Sequence, residues 1–356
     1  MIRIILAVAI SFTLSAVLTR VLIALLTRSR IGQPIREDGP QGHMVKAGTP
    51  TMGGLAIVAG ALGGYGISDI ITDISPWFEA TKTATGLLVM AVIGSAGMVG
   101  FLDDWIKVSR ERNLGLNARL KTLGLLTVAV GFAVLMVNLA TGVRTEISFT
   151  RADLPGWDFG TVGWIVWAVV IIYATSNAVN LTDGLDGLAA GSGIFSYAAY
   201  TVIAFWIFRQ ANDPVDIYDV PHALDLAVVA SAMMAGCAGF LWFNSAPADI
   251  FMGDTGSLAI GTGLAALALA TNTHLLLPII GAIYVVEATS VMLQVGWFKA
   301  TRGKRLFRMA PIHHHFELAG WAETKVIIRF WLVAGGLTLL GLGLFYADWV
   351  ATTEVR

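Results

Sequence analysis

Asn180-Leu181-Thr182-Asp183-Gly184-Leu185-Asp186-Gly187 stands between two apolar runs, 161–179 and 187–208. Those flanks decide the fold. About 20 mostly apolar residues cross a bilayer as a helix. The runs are continuous rather than alternating, so a closed β-barrel does not fit. A polar turn with two carboxylates between two such helices places chemistry at the end of a membrane bundle. Working outward, runs of the same kind fall near 3–26, 51–72, 84–102, 121–141, 223–243, 255–273, 276–298 and 327–349. The expected fold is therefore all-α: a polytopic membrane protein with a bundle of about ten transmembrane helices. One integral domain over residues 1–356 is expected. Composition agrees, since 56% of the 356 residues are hydrophobic and 13% charged, with mean hydropathy +0.73. A soluble domain carries about 25% charged residues. The stretch Ile4 to Leu26 is too long for a signal-peptide core and reads as a retained first helix. Cys237 is the single cysteine, so no disulfide within the chain is expected; it reads as a small buried core residue.

Loop charge sets the orientation. The loop 27–50 carries Arg28, Arg30, Arg36 and Lys46; 103–121 carries Lys107, Arg110, Arg112, Arg119 and Lys121; 299–326 carries Lys299, Arg302, Lys304, Arg305, Arg308 and Lys325. In a ten-helix count all three lie on one side, which is then cytoplasmic. The connections holding Asp103-Asp104, Asp183/Asp186 and Asp254 fall on that same side, as do His313-His314-His315. One active site facing the cytoplasm is expected. Net charge is −1, and no nucleic-acid partner is expected; the lipid bilayer is.

Carboxylates at bilayer depth usually mark function, because each costs ~2.5–3.5 kcal/mol on insertion scales. Five of them in three short Gly-flanked segments suggest a site for a hard cation and phosphate. Adjacent residues on a helix point about 100° apart, so Asp103 and Asp104 are expected to differ in role. Lys107, one turn on, is a candidate partner for either acid. Asn180, Thr182, Asp183 and Asp186 suit a sugar or base, while Gly184 and Gly187 permit close backbone approach. Asp254 precedes Thr255-Gly256-Ser257 at the start of a helix. It reads either as a helix cap or as a Mg²⁺ ligand, with the helix N-terminus favouring phosphate. Three consecutive histidines cannot easily converge on one ion, so zinc is not expected at His313, His314 and His315. Lys46 and Thr51, at the start of the second run, suit a phosphate or nucleotide.

Together these segments resemble the polyprenyl-phosphate N-acetylhexosamine-1-phosphate transferase superfamily, and within it the phospho-N-acetylmuramoyl-pentapeptide transferases. The resemblance rests on Gly48-Thr49-Pro50-Thr51-Met52-Gly53-Gly54, Phe101-Leu102-Asp103-Asp104, Asn180 to Leu188, Phe251-Met252-Gly253-Asp254-Thr255-Gly256-Ser257 and Met309 to Glu317. It covers nearly the whole chain. It implies transfer of phospho-MurNAc-pentapeptide from UDP-MurNAc-pentapeptide to undecaprenyl (polyprenyl) phosphate, giving lipid I and UMP in peptidoglycan biosynthesis, with Mg²⁺ as cofactor. It places the protein in the bacterial cell membrane and is compatible with a homodimer. By the same resemblance Asp254 is the metal-binding acid, Asp103 a base or second catalytic acid beside Asp104, and His313 a catalytic histidine. Lys46, Thr51, Lys107, Asn180, Asp183, Asp186, Asn244, Phe251, Gln294, His313, His314 and His315 are the expected substrate contacts.

Two other readings compete: a sibling transferase that uses UDP-GlcNAc, and an ion-coupled transporter. A transporter places its acids near the membrane midplane on broken helices. Here they gather at one face.

Overall fold

Among the described residues, eight helices are long and apolar enough to cross a membrane. They are α1 (Ile2–Arg28), α2 (Gly54–Asp73), α3 (Ala84–Ser109), α4 (Ala118–Leu139), α5 (Gly160–Thr182), α6 (Leu188–Gln210), α7 (Ala223–Asn244) and α12 (Glu323–Glu354). The computed structural model describes residues 1–28, 48–75, 82–110, 115–140, 142–211, 218, 220–221 and 223–354. Side chains fix where helices begin. The Thr83 hydroxyl accepts from the Gly86 amide at 3.0 Å and opens α3, and Asn117 accepts from Leu120 at 2.8 Å and opens α4. Such contacts satisfy amides that have no partner in the first helical turn.

The run expected over 255–273 is α8 (Gly253–Ala270). Its sequence is rich in Gly, Ala and Thr because helices surround it instead of lipid; every residue from Asp254 to Ala270 is buried. Helices approach it at backbone contact. A Cβ on Gly54 of α2 would lie 2.0 Å from the Gly256 nitrogen, and one on Gly100 of α3 would lie 2.3 Å from the Asp254 carbonyl oxygen. Small residues permit this packing in membrane bundles, where apolar lipid supplies no hydrophobic drive for helices to associate.

The run expected over 276–298 is broken. A short α9 (Leu277–Ile280) is followed by α10 (Ala282–Ala300), with the join at Gly281. Two elements went unforeseen. A small antiparallel hairpin pairs β1 (Glu146–Ser148) with β2 (Pro155–Asp158) between α4 and α5. A seven-residue helix, α11 (Ile312–Leu318), carries the three histidines.

At the end of the bundle where α3 and α7 begin, charged side chains tie four helices. Arg3 of α1 lies 2.8 Å from Asp225 of α7 and 3.4 Å from Asp69 of α2. The Thr83 amide and hydroxyl donate to Asp225 at 2.8 and 2.9 Å, and the Tyr65 hydroxyl at 3.1 Å. Lys82 completes the group at 2.7 Å from Asp69.

A candidate active site at one end of the bundle

The opposite end of α3 brings three acids together. Asp103, Asp104 and Asp254 are buried, and each offers a carboxylate oxygen within 4.8 Å of the others. Asp103 and Asp104 close the apolar part of α3, and Asp254 lies in the first turn of α8. The 100° between neighbours on α3 sends the two carboxylates to different partners. Asp103 Oδ1 accepts from the Leu116 amide at 2.9 Å, just before α4. Asp104 faces the start of α8, accepting from the Asp254 amide at 3.1 Å and from the Thr255 amide and hydroxyl at 2.9 and 2.7 Å.

Two lysines balance the acids. Lys107 Nζ lies 2.5 Å from Asp103, 2.7 Å from Asp254 and 3.5 Å from Asp104. Lys121 of α4 reaches Asp254 at 2.8 Å. Asn180, near the end of α5, donates through Nδ2 to Asp254 Oδ1 at 2.5 Å and to the Ser257 hydroxyl at 2.8 Å. Three carboxylates against two ammonium groups leave a local excess of negative charge. An all-oxygen donor set of this kind suits a hard divalent cation.

The Asn180–Gly187 segment runs from the end of α5 to the start of α6. Asp183 ends α5. Burial, then the negative charges of Asp254, Asp104 and Asp186, push its carboxyl up to about 8. Asp186 Oδ2 accepts from the Ala248 amide at 3.0 Å, so it ties this turn to the loop before Asp254. The histidine helix abuts the same turn. A Cβ on Gly184 would lie 2.4 Å from His313 Nε2 and 3.5 Å from His314 Nε2. On α11 the His313 and His314 rings meet edge to face with centroids 4.1 Å apart, and each of the three histidines has its own partner. His313 is fully buried with Nδ1 3.1 Å from Glu287 of α10, His314 Nδ1 lies 2.7 Å from Glu317, and His315 Nδ1 accepts from the Arg308 amide at 3.1 Å.

Pro50 to Gly54 joins the acids by backbone bonds. Phe251 N donates to Pro50 O at 2.8 Å, Gly53 N to Phe251 O at 2.9 Å and Gly54 N to Met252 O at 2.8 Å. Thr51 and Phe251 therefore sit on adjoining strands of chain leading to Asp254.

The sequence matches the family described as Glycosyl transferase family 4 over residues 85–272. Residues 46–58 match Phospho-N-acetylmuramoyl-pentapeptide-transferase signature 1. The phospho-N-acetylmuramoyl-pentapeptide-transferase of Streptomyces coelicolor is 49% identical over 360 residues, 98% of each chain. That of Saccharopolyspora erythraea is 50% identical over 354 residues, 96% of each chain. That of Corynebacterium efficiens is 47% identical over 369 residues, covering 99% of this chain and 100% of the relative. The chain belongs to the phospho-N-acetylmuramoyl-pentapeptide-transferase family.

Within this member of the family, the structure gathers Asp103, Asp104, Lys107, Asn180 and Asp254 into one cluster, with Asp183 at the same end of the bundle. His313 and His314 meet that group through Gly184. Two further expected substrate contacts hydrogen-bond to nearby backbone. Asn244 is buried and donates to the Ile250 carbonyl at 2.8 Å, which shapes the loop before Phe251. Gln294 Oε1 accepts from the Leu306 and Phe307 amides at 3.1 and 2.8 Å, so it holds the loop after α10. Lys46 lies outside the described residues.

Sequence reasoning missed Lys121 and Glu287. Lys121 reads as one of many loop lysines, and no spacing links it to Asp254. Glu287 had a signal: it is a single carboxylate inside the apolar run 276–298, and such acids ordinarily have a partner and a use.

Proposed function

We propose that this protein transfers phospho-MurNAc-pentapeptide from UDP-MurNAc-pentapeptide to a polyprenyl phosphate, giving lipid I and UMP. The observation that carries the reading is the meeting, at one end of a membrane bundle, of an acid–lysine cluster with the Asn180–Gly187 turn and the histidine helix. The membrane-spanning helices give a lipid-linked acceptor its place, and the polar end gives a nucleotide its own. Membership of the family supplies the sugar nucleotide. The bacterial cell membrane is the proposed location, with the cluster facing the cytoplasm, where sugar nucleotides are made.

Asp254 would hold Mg²⁺, which supplies neutralisation of charge on the diphosphate and the departing UMP. The remaining work falls to the protein's own side chains. Phosphoryl transfer is mostly positioning and charge stabilisation. Lys107 and Lys121 stand where phosphate oxygens are to be neutralised, and Asn180 keeps the Asp254 carboxylate aimed. The attacking lipid phosphate has a second pKa of ~6, so at neutral pH it is largely a dianion able to attack directly. Asp103 then removes the proton of the residual monoanion or orients the phosphate. Asp183 and the histidine helix face the nucleotide side.

The transporter reading is disfavoured because Asp103 and Asp104 lie toward one end of α3 and Asp254 in the first turn of α8 beside them, instead of at mid-helix. The sibling UDP-GlcNAc transferase is the nearer rival. Purified protein is given polyprenyl phosphate and either radiolabelled UDP-MurNAc-pentapeptide or radiolabelled UDP-GlcNAc. Lipid-linked label with UMP release is expected from the first alone. Label carried to lipid only from UDP-GlcNAc would overturn the assignment.

A further inference from the structure

We propose that Asp104 is a positioning residue: its carboxylate caps the first turn of α8 from a distance and thereby aims Asp254, and it does not hold the metal. The need for such a cap lies in α8 itself. The residue at the N-cap position is Met252, whose side chain makes no capping hydrogen bond. The first amides of a helix have no partner within it, and when buried they must find one elsewhere. A capping side chain ordinarily accepts from the second or third amide of the helix. Asp254 and Thr255 occupy those two places in α8, and both of their amides donate to Asp104, 150 and 151 residues earlier in the chain. The Thr255 hydroxyl adds a third bond at 2.7 Å.

Counting acceptor sites separates this role from metal ligation. An ionised carboxylate offers about four lone-pair sites. Three on Asp104 receive donors fixed in the protein frame, two of which are backbone amides that cannot rotate away. The remaining site, on Oδ1, faces Lys107 at 3.5 Å. Asp254, by contrast, is held wholly by side chains, namely Asn180, Lys107 and Lys121. The two lysines are long and partly exposed, and a cation can displace them. The surroundings of Asp104 are built for the cap. Gly253 has φ +73°, and a Cβ there would lie 2.5 Å from Asp104 Oδ2. The close approach therefore needs a glycine, in a backbone conformation that glycine adopts without strain. Asp104 is also 1% exposed, the least accessible of the three acids.

This inference rests on the reading of Asp254 as the metal-binding acid, and the test separates the two. The full chain is placed in lipid nanodiscs, without metal, and hydrogen exchange is followed in peptides covering 251–258. Asp104→Asn sets an amide NH₂ against the α8 amides, so exchange at Asp254 and Thr255 is expected to rise at least tenfold; exchange at the unaltered rate would overturn the proposal. Mn²⁺ binding is then measured by electron paramagnetic resonance, together with kcat and KM. Thr255→Val keeps every carboxylate and removes one bond to Asp104. It is expected to weaken Mn²⁺ binding and lower kcat several-fold at unchanged nucleotide KM, and to add less than its own effect in the Asp104→Asn background. Wild-type Mn²⁺ affinity and kcat in Thr255→Val would refute the positioning role, as would fully multiplicative effects in the double variant. Thr255→Val decides the matter by itself if Asp104→Asn does not fold. Failure of Mn²⁺ to bind the unaltered protein would sink the metal reading and leave the exchange result to judge the cap.

Discussion

Gly184→Ala tests whether the histidine helix is seated for catalysis. The added methyl would lie 2.4 Å from His313 Nε2. Ordinary carbon–nitrogen contact begins near ~3.4 Å, so something must give by about 1 Å. Retreat of the imidazole is blocked. His313 is fully buried, and its other nitrogen stands 3.1 Å from Glu287, itself fully buried. Gly184 is exposed on its other side, so the methyl costs little elsewhere and the fold should survive. A displacement of ~1 Å in a positioning group can cost ~10²-fold in rate, or about 2.7 kcal/mol of barrier. We expect kcat of Gly184→Ala to fall by about two orders of magnitude, and the blocked retreat to lower the melting temperature by only a few degrees, with the fold retained. The assay is label transfer to polyprenyl phosphate, paired with thermal unfolding. In a His313→Ala background the same change should cost almost nothing more, because the clash is gone. A kcat within threefold of wild type, or equal losses in both backgrounds, would refute the reasoning.

Asp254→Asn should abolish turnover while the bundle stays folded; near-normal turnover with the usual Mg²⁺ dependence would remove Asp254 from the metal site. Single cysteines placed in 27–50, 103–121 and 299–326, in a Cys237→Ser background, should all react with impermeant reagent from the cytoplasmic side, and reaction of any from outside only would break the one-face argument. Asp183 yields a pH prediction whose sign follows from its carboxyl being pushed up to about 8. Between the ordinary value of ~3.9 and that point the folded protein binds more protons than the unfolded one, so this group costs stability increasingly as pH rises. Asp183→Asn should therefore raise the melting temperature of metal-free protein more at pH 8 than at pH 5. A difference that is absent or reversed would show that Asp183 is ionised without penalty.

Hydropathy carried the membrane helices because burying about 20 apolar residues in lipid depends on the run itself. It also carried α8 as a run, but not its place at the centre of the bundle, which depends on what Gly54 and Gly100 let approach. The break at Gly281 was hidden because apolar residues continue on both sides of it, from Leu275 to Ile280 and from Ala282 to Val286. The β1–β2 hairpin is too short to give an alternating pattern. At the site, the acids declared themselves by being charged in apolar surroundings, and the divergence of Asp103 from Asp104 followed from helical geometry. Lys121 and Glu287 did not emerge, since their meaning lies in partners 133 and 26 residues away. The hydrogen bonds of Asn244 and Gln294 to nearby backbone were equally invisible, because a polar side chain does not announce its backbone partners in sequence.

The ion group around Arg3 bears on how the chain assembles. Arg3 enters with the first helix, yet Asp225 lies 222 residues later. Asp69, on the second helix, is the earlier partner. The first two helices can thus settle as a charge-matched hairpin before the rest of the chain exists, and α7 completes the pairing when it arrives. An unpaired charge at this depth is costly, so a chain lacking α7 keeps the Arg3–Asp69 pair, whereas a chain lacking Arg3 leaves Asp225 without its cation while Asp69 keeps Lys82. The first turn of α1 is in this sense a docking point held ready through the synthesis of the five helices α2 to α6, and a shortened N-terminus would show its defect as failed assembly and not as a slower enzyme.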